Sequence, residues 1–270
     1  MGRRQGLVAG VESQSPPDGS AVPPTSWTEF ADTMGSQYLR YSFTKGTRQE
    51  VDFLVDFLGL GPSSCVLDVG CGPGRHCHEL HSRGVMALGC DVSERFCYLA
   101  AQGVSKAFVT GDARTLPIRT ESCDAVIALC QGGFGSLLGD PSLDPFNLVG
   151  DEAILREVWR VLRPGARCVV TGFNAYFQVR WLEPTDRFDA MTAANDESTE
   201  VVSQAGPVVP ATLRTTCFTP RELVLLATAA GFARPQIFAS RPGHYGAVPA
   251  TIDVPELMLV ATKPLRISAH

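Results

Sequence analysis

The stretch VLDVGCGPGRHCHEL, residues 66–80, decides the reading of this chain. Its apolar opening, Val66 to Val69, reads as a buried strand. Gly70, Gly72 and Gly74 follow at once, and a helical run from Gly74 to His81 begins directly after them. Glycine permits the positive φ values of a tight turn and leaves the backbone bare to a ligand, while the N–H groups at a helix start favour an electron-rich one. The spacing is G-x-G-x-G. A dinucleotide fingerprint, G-x-G-x-x-G, would need a third glycine at position 75, which is Arg75. Asp68, just ahead of the glycines, suits a ligand with an amino acid part and no pyrophosphate, because a carboxylate there can hold an ammonium group.

Outward from this turn, strand-length apolar runs alternate with helices. After SCVLDVG come the strands VMALGCD, KAFVTGD, SCDAVIALC and ARCVVTGF, and near the end RPQIFAS and PELMLVATK. Between them, TRQEVDFLVDFLGLG places Val51, Leu54, Val55 and Leu58 on one helical face, and Asp151 to Leu162 does the same with Ile154, Leu155, Val158, Val161 and Leu162. SERFCYLAAQ is a further helix. In TPRELVLLATAAGF, Thr219 is an N-cap, Pro220 occupies the first helical position and Gly231 ends the helix. Uniformly apolar strands alternating with helices predict an α/β fold, a doubly wound and mostly parallel sheet of seven strands.

Two acidic residues sit where the second and third strands end. Asp91 is placed to take both hydroxyls of a ribose, and its plainer reading is a helix cap or turn residue. Asp112, in TGDARTLP, is placed to accept from an adenine amino group, against the plainer reading of a loop aspartate. Asp68-Val-Gly-Cys-Gly-Pro-Gly74, Asp91, Gly111-Asp112 and the turn Leu162-Arg-Pro-Gly165, in this order and spacing, resemble the class I S-adenosylmethionine-dependent methyltransferases. The resemblance runs from about Val51 to Lys263. It implies S-adenosyl-L-methionine as cofactor and a sheet whose last strand is antiparallel. It also implies cofactor contacts from Asp68, Gly70, Cys71, Gly72 and Gly74, from Asp91 and Val92, from Gly111, Asp112 and Ala113, and from Cys130 and Gln131.

The loop Cys130-Gln-Gly-Gly-Phe-Gly135 lacks the Asn/Asp-Pro-Pro-Tyr/Phe signature of amino-nitrogen methylation and the Pro-Cys signature of cytosine methylation. A net charge of −5 supplies no phosphate-seeking surface. We therefore expect a small organic acceptor and neither nucleic acid nor membrane as partner. Residues 27–60 would form a helical lid, with Tyr38, Tyr41 and Phe43 shielding the sulfonium or touching substrate; simple burial is the plainer reading of these aromatics. Residues 174–218 interrupt the alternation as an insertion, either a substrate cap or a dimerisation arm, so a homodimer stays open. Phe134, Tyr176 and Arg180 complete the substrate candidates. No catalytic residue is assigned: His76, His244 and Tyr41 are weak candidates for a base, and His76 reads better as a surface histidine. No metal site is expected, since no recognisable metal triad is present.

The bulk properties agree. The chain has 270 residues, 44% hydrophobic and 19% charged, which suits one domain over residues 27–270 behind a flexible Pro- and Ser-rich leader, 1–26. Nine cysteines, several within apolar runs, read as reduced small hydrophobes and point to the cytoplasm. Two other readings stand beside the enzyme: a non-catalytic S-adenosylmethionine-binding partner subunit, and, against Arg75, a nucleotide-dependent oxidoreductase.

Overall fold

A computed structural model describes residues 26–104, 106–130, 133–135, 146 and 148–266. The leader expected over 1–26 and the candidate Gln131 lie outside the described residues, apart from Ser26.

Five parallel strands make the centre: β1 (Cys65–Val69), β2 (Met86–Asp91), β3 (Phe108–Thr110), β4 (Cys123–Ala128) and β5 (Leu162–Asn174), in the order β3-β2-β1-β4-β5. The chain's last strand, β10 (Glu256–Thr262), runs antiparallel to β5 and to β9 (Ala233–Ser240), so the expected final antiparallel strand is present. Every residue of β1 is buried, as an apolar strand covered on both faces should be.

Helices cover both faces. On one, α2 (Thr47–Leu58) and α3 (Arg75–Ser82) pack Val51, Leu54, Cys77 and Leu80 against Val66, Ile127 and Met258. On the other, α5 (Leu148–Val161) and α7 (Pro220–Ala229) pack Leu155, Val158, Leu223 and Ala227 against Leu67, Val126 and Leu257. Each fully buried leucine among these contributes roughly 1.5–3 kcal/mol. Thr219 closes a capping box with Glu222 ahead of Pro220, as its position in the sequence suggested.

Among the described residues the sheet has ten strands rather than the seven expected. The extra three come from residues 174–218, which fold as α6 (Ala175–Arg180), β6 (Arg187–Asp189), β7 (Ala194–Val202) and β8 (Val208–Phe218). Strands β7 and β8 form a long antiparallel hairpin, and β8 joins β5 in parallel at Phe173–Cys217 and Asn174–Phe218, beyond the point where β4 stops pairing. These strands escape a search for apolar runs because their outer positions are polar: Ser198 and Glu200 are exposed while Val201 is buried.

The hairpin does not stand free. Val201 and Ala211 bury Phe30 and Met34 of α1 (Trp27–Met34), with Trp27, Tyr38, Tyr41, Val209 and Leu213 around them. The N-terminal segment and the insertion therefore share one small core on the face that also carries α2 and α3.

Candidate functional site

The turn between β1 and α3 is held by main-chain bonds and one carboxylate. Gly70, Gly72 and Gly74 all have positive φ, at 68, 53 and 80°. The N–H groups of Gly70 and Cys71 both donate to the Cys90 carbonyl, at 2.7 and 3.1 Å. Gly74 is fixed by space as well as by conformation, because a Cβ there would meet the Phe108 ring at 2.8 Å and the Ala100 Cβ at 2.9 Å.

Asp91, at the end of β2, accepts from the Gly72 N–H at 2.8 Å through Oδ2 and from the Ser93 N–H at 2.9 Å through Oδ1. It is 8% exposed. Burial raises its pKa, and the two N–H donors oppose that shift without cancelling it. Asp91 is not the cap of α4 (Glu94–Ala101); Ser93 does that, accepting from Phe96 N–H. Each Asp91 oxygen keeps acceptor capacity beyond its single N–H partner.

Asp68 contrasts with it. The carboxylate is 1% exposed, with the Cys77 thiol at 3.6 Å and His76 Nδ1 at 3.9 Å. Burial pushes its pKa up to about 7, against the lowering pull of the Arg75 guanidinium and the Cys77 thiol. A buried carboxylate held so weakly fits a cation as its missing partner.

Three loops converge beside the turn. A Cβ at Gly133, in the loop after β4, would lie 3.5 Å from the Ala113 Cβ and 3.8 Å from the Gly70 Cα. Gly111 N–H donates to the Asp91 carbonyl at 2.9 Å, and Val92 stands half-exposed next to Asp91. Asp112 caps the short 3-10 turn Ala113–Thr115, and both its oxygens are taken by Arg114, with Nη2 at 2.6 Å. The Arg114 bond holds its pKa below the ordinary value, more than burial raises it.

Above the turn sits the aromatic segment. The Tyr38 ring lies 5.0 Å from Phe96 and 5.3 Å from Phe43, and its edge would be 3.6 Å from a Cβ at Gly72. Tyr41 stacks on Phe43 at 6.1 Å, and its hydroxyl accepts from Val202 N–H at 3.0 Å, tying the segment to the hairpin.

A buried polar cluster that no sequence spacing announced anchors the loop after β4. Arg75 donates to Glu50 Oε2 at 2.5 Å, to Thr47 Oγ1 at 2.7 Å and to Cys130 Sγ at 3.0 Å. Glu50, fully buried, also receives the Gly243 N–H at 2.7 Å and faces His76 Nε2 at 2.8 Å. Burial alone would raise Glu50, but the His76 hydrogen bond, Arg75 and Gly243 outweigh it and leave its pKa low. His76 is therefore not a surface residue: it is 4% exposed, and burial and Arg75 lower its pKa to about 4. Cys130, at φ 52°, donates its N–H to Thr171 Oγ1, and its thiol lies 3.9 Å from the buried Tyr245 hydroxyl.

The remaining candidates lie elsewhere. Phe134 is fully buried and stacks on Phe218 at 4.9 Å, so it has no surface to offer a substrate. Tyr176 is 51% exposed on α6, and Arg180 pairs with Asp253 at 3.4 Å. His244 is exposed, while its neighbour Tyr245 is the residue that reaches inward.

The donor set fits S-adenosyl-L-methionine: Asp68 suits an ammonium, bare glycine backbone suits the amino acid part, and Asp91 has acceptors for ribose hydroxyls. Comparison with known proteins agrees. Residues 66–165 match the family described as a methyltransferase domain. The demethylmenaquinone methyltransferase of Beutenbergia cavernae is 36% identical over 124 residues, 44% of this chain and 45% of that protein. A second curated relative, the tRNA (carboxymethyluridine(34)-5-O)-methyltransferase ALKBH8 of Macaca fascicularis, is 31% identical over 119 residues, 43% of this chain and 16% of that protein. The chain thus spans less than half the length of these curated relatives. Among solved structures, the CcbJ methyltransferase of Streptomyces caelestis superposes with a TM-score of 0.70 at 18% identity, over 90% of this chain and all of that one. Residues 66–165 are a methyltransferase domain, and the chain is built on the fold of the class I S-adenosylmethionine-dependent methyltransferases.

Proposed function

We propose that this protein transfers the methyl group of S-adenosyl-L-methionine to an O, N or C atom of a small organic molecule. The observation that carries this is the pairing of two differently prepared carboxylates at one glycine turn. Asp91 is fixed by backbone donors with acceptor capacity to spare, and Asp68 is buried without a strong partner. When bound, the cofactor supplies an electrophilic methyl on a sulfonium. The acceptor forms the new bond to that carbon while the sulfur keeps the electron pair of the broken one.

In this reading the chain's own residues supply alignment and dryness. Asp68, Gly70, Gly72 and Asp91 hold and orient the cofactor, and the Tyr38–Phe43–Phe96 cluster keeps water from the turn. Arg75 ties the glycine turn to Cys130, so the loop that would face the acceptor is fixed to the element that holds the cofactor. His76 is locked on Glu50 and does not serve as a base. Nine free thiols suit a reducing compartment.

A small acceptor is favoured by the acidic net charge of −5 and by the roof that α1 and the hairpin make together. The oxidoreductase reading loses ground because position 75 holds a buried, ion-paired arginine.

Calorimetric titration with S-adenosylhomocysteine, NADH and NADPH tests the proposal. Micromolar binding of the first alone, lost in Asp91→Ala, is expected. Binding of a nicotinamide cofactor instead would overturn it.

A further inference from the structure

The hairpin buries one polar group that its own fold leaves idle. Asn195 of β7 is 1% exposed, and among the described residues neither its Oδ1 nor its Nδ2 has a hydrogen-bond partner. A buried amide in that state forfeits its hydration without recompense. An orphan of this kind needs a partner from outside the fold, either ordered water or a ligand.

The register fixes the side on which this group lies. Asn195 is opposite Thr215 of β8 and Phe188 of β6, and antiparallel partners share a face. Residues two apart on a strand also share a face, so Asn195 lies with Val201, and Thr215 with Ala211 and Leu213. That face carries Phe30 and Met34 of α1, with Tyr38 and Tyr41 packed against the same cluster. The opposite face of β8 carries Phe218, which stacks on Phe134 and belongs to the core under α5 and α7. Asn195 therefore lies beneath the cover made by α1 and the aromatic segment.

The base of the hairpin is also joined to the cofactor site. Thr216, next to Thr215, donates its N–H to the Gly135 carbonyl at 2.7 Å. Two residues earlier in that loop, a Cβ at Gly133 would lie 3.8 Å from the Gly70 Cα. From the other side, Cys217 is in register with Phe173 of β5, and Thr171, two residues before it, accepts the Cys130 N–H at 2.8 Å. The loop after β4 thus meets the glycine turn at Gly133 and the hairpin at Gly135. Asn195 lies between the cover and this loop, at the carboxyl edge of the parallel strands, where the remote part of an acceptor would rest.

Both ends of the carboxamide are idle, so its complement offers a donor and an acceptor side by side. An amide edge or a vicinal diol does this; a lone ketone, ether or amine does not. The registered neighbours, Thr215 and Phe188, carry no charge, so an ionic partner would be buried there without a counter-ion. We infer that Asn195 binds the methyl acceptor away from the reacting atom, through a neutral amide edge or vicinal diol, and so positions and selects it. The inference rests on the methyltransferase reading and goes further by naming an acceptor class and the residue that recognises it. Entry requires the cover to lift, which the eight residues of α1, too few to persist alone, permit.

The test uses the full chain saturated with S-adenosylhomocysteine, whose binding is measured first. The side-chain amide NMR signals of Asn195, identified by their loss in Asn195→Leu, are then followed during titration with small five-membered rings. 2-Pyrrolidinone presents an amide edge and cis-1,2-cyclopentanediol a vicinal diol. γ-Butyrolactone offers acceptors alone, and pyrrolidine, charged at neutral pH, offers donors alone. In the wild type, pyrrolidinone or the diol should shift these signals and bind roughly tenfold more tightly than the lactone and pyrrolidine, the penalty for a group left unmatched in a dry site. Which of the two binds tells an amide from a diol. In Asn195→Leu the preference should vanish; if that variant does not fold, Asn195→Ala carries the same expectation. A purely structural role for Asn195 would alter stability without any discrimination among the rings. No preference in the wild type, as ordered water on Asn195 would give, or a preference that survives in the variants, would overturn the inference. If S-adenosylhomocysteine fails to bind, the methyltransferase reading falls first, so the two failures are distinguishable.

Discussion

Raising the pH from about 5.5 to about 8 should tighten S-adenosylhomocysteine binding about thirtyfold, with most of the change below and around pH 7. The reasoning starts from Asp68, whose pKa is pushed up to about 7 by burial, the lowering pull of Arg75 and Cys77 being weaker. Only the ionised carboxylate can pair with the ligand's ammonium, so the apparent affinity scales with the ionised fraction. That fraction is about one in thirty at 1.5 units below the pKa and close to one at a unit above it. The assay is isothermal titration at constant ionic strength in buffers of differing ionisation enthalpy, which also counts the proton released on binding below pH 7. Asp68→Asn should bind weakly and without pH dependence. The same shift fixes a stability signature. The folded state keeps this proton up to about pH 7, while the unfolded chain loses it near the ordinary value of 3.8. The free protein therefore loses stability as pH rises across that window, and Asp68→Asn escapes the loss. At pH 8 the variant should be the more stable by about 4 kcal/mol, a difference that vanishes below about pH 4. Affinity that is flat with pH in the wild type, or a variant no more stable at pH 8, would refute the argument.

Two further outcomes follow from packing and charge. Glu50→Gln leaves Arg75 buried without its counter-ion at 2.5 Å, so denaturant unfolding at neutral pH should register a loss of about 3–5 kcal/mol; a loss under about 1 kcal/mol would mean that Arg75 finds another partner. Gly74→Ala forces an L side chain into φ 80° and drives its Cβ against Phe108 and Ala100, at a cost of about 3 kcal/mol in the same assay. An alanine variant of wild-type stability would mean that the turn relaxes freely.

How much of this was legible in the sequence depended on whether the signal was local. The central strands announced themselves because each is an unbroken apolar run between turn residues, and the glycine turn because its φ requirements fall within five residues, Gly70 to Gly74. The cap at Thr219 was equally readable, since its box closes over three residues. The hairpin was not, because its strands are half-solvated and carry Ser, Thr and Glu where buried strands carry Val and Ile. His76 looked like a surface residue because its own segment, HCHEL, is polar; only Glu50, 26 residues away, makes it a buried one. Glu50 also meets Gly243 across 193 residues, a contact no spacing rule can encode.

The roof of the site illustrates why such long-range contacts matter to function. Helix α1 has eight residues and is too short to persist alone. A two-stranded hairpin such as β7–β8 is marginal without something to cover it. Phe30 and Met34 against Val201 and Ala211 give each element the apolar partner it lacks, and the Thr33 carbonyl receiving Gln204 N–H at 2.7 Å fixes their register. Tyr38 extends that shared core to the glycine turn, where its ring edge approaches Gly72. The aromatic segment and the insertion are therefore one cooperative cover: loosening the hairpin unseats Tyr38 from the turn. A cofactor held at the glycine turn against Tyr38 would strengthen α1, the hairpin and the glycine turn together. On this argument cofactor and acceptor would each bind more tightly when the other has already ordered the roof.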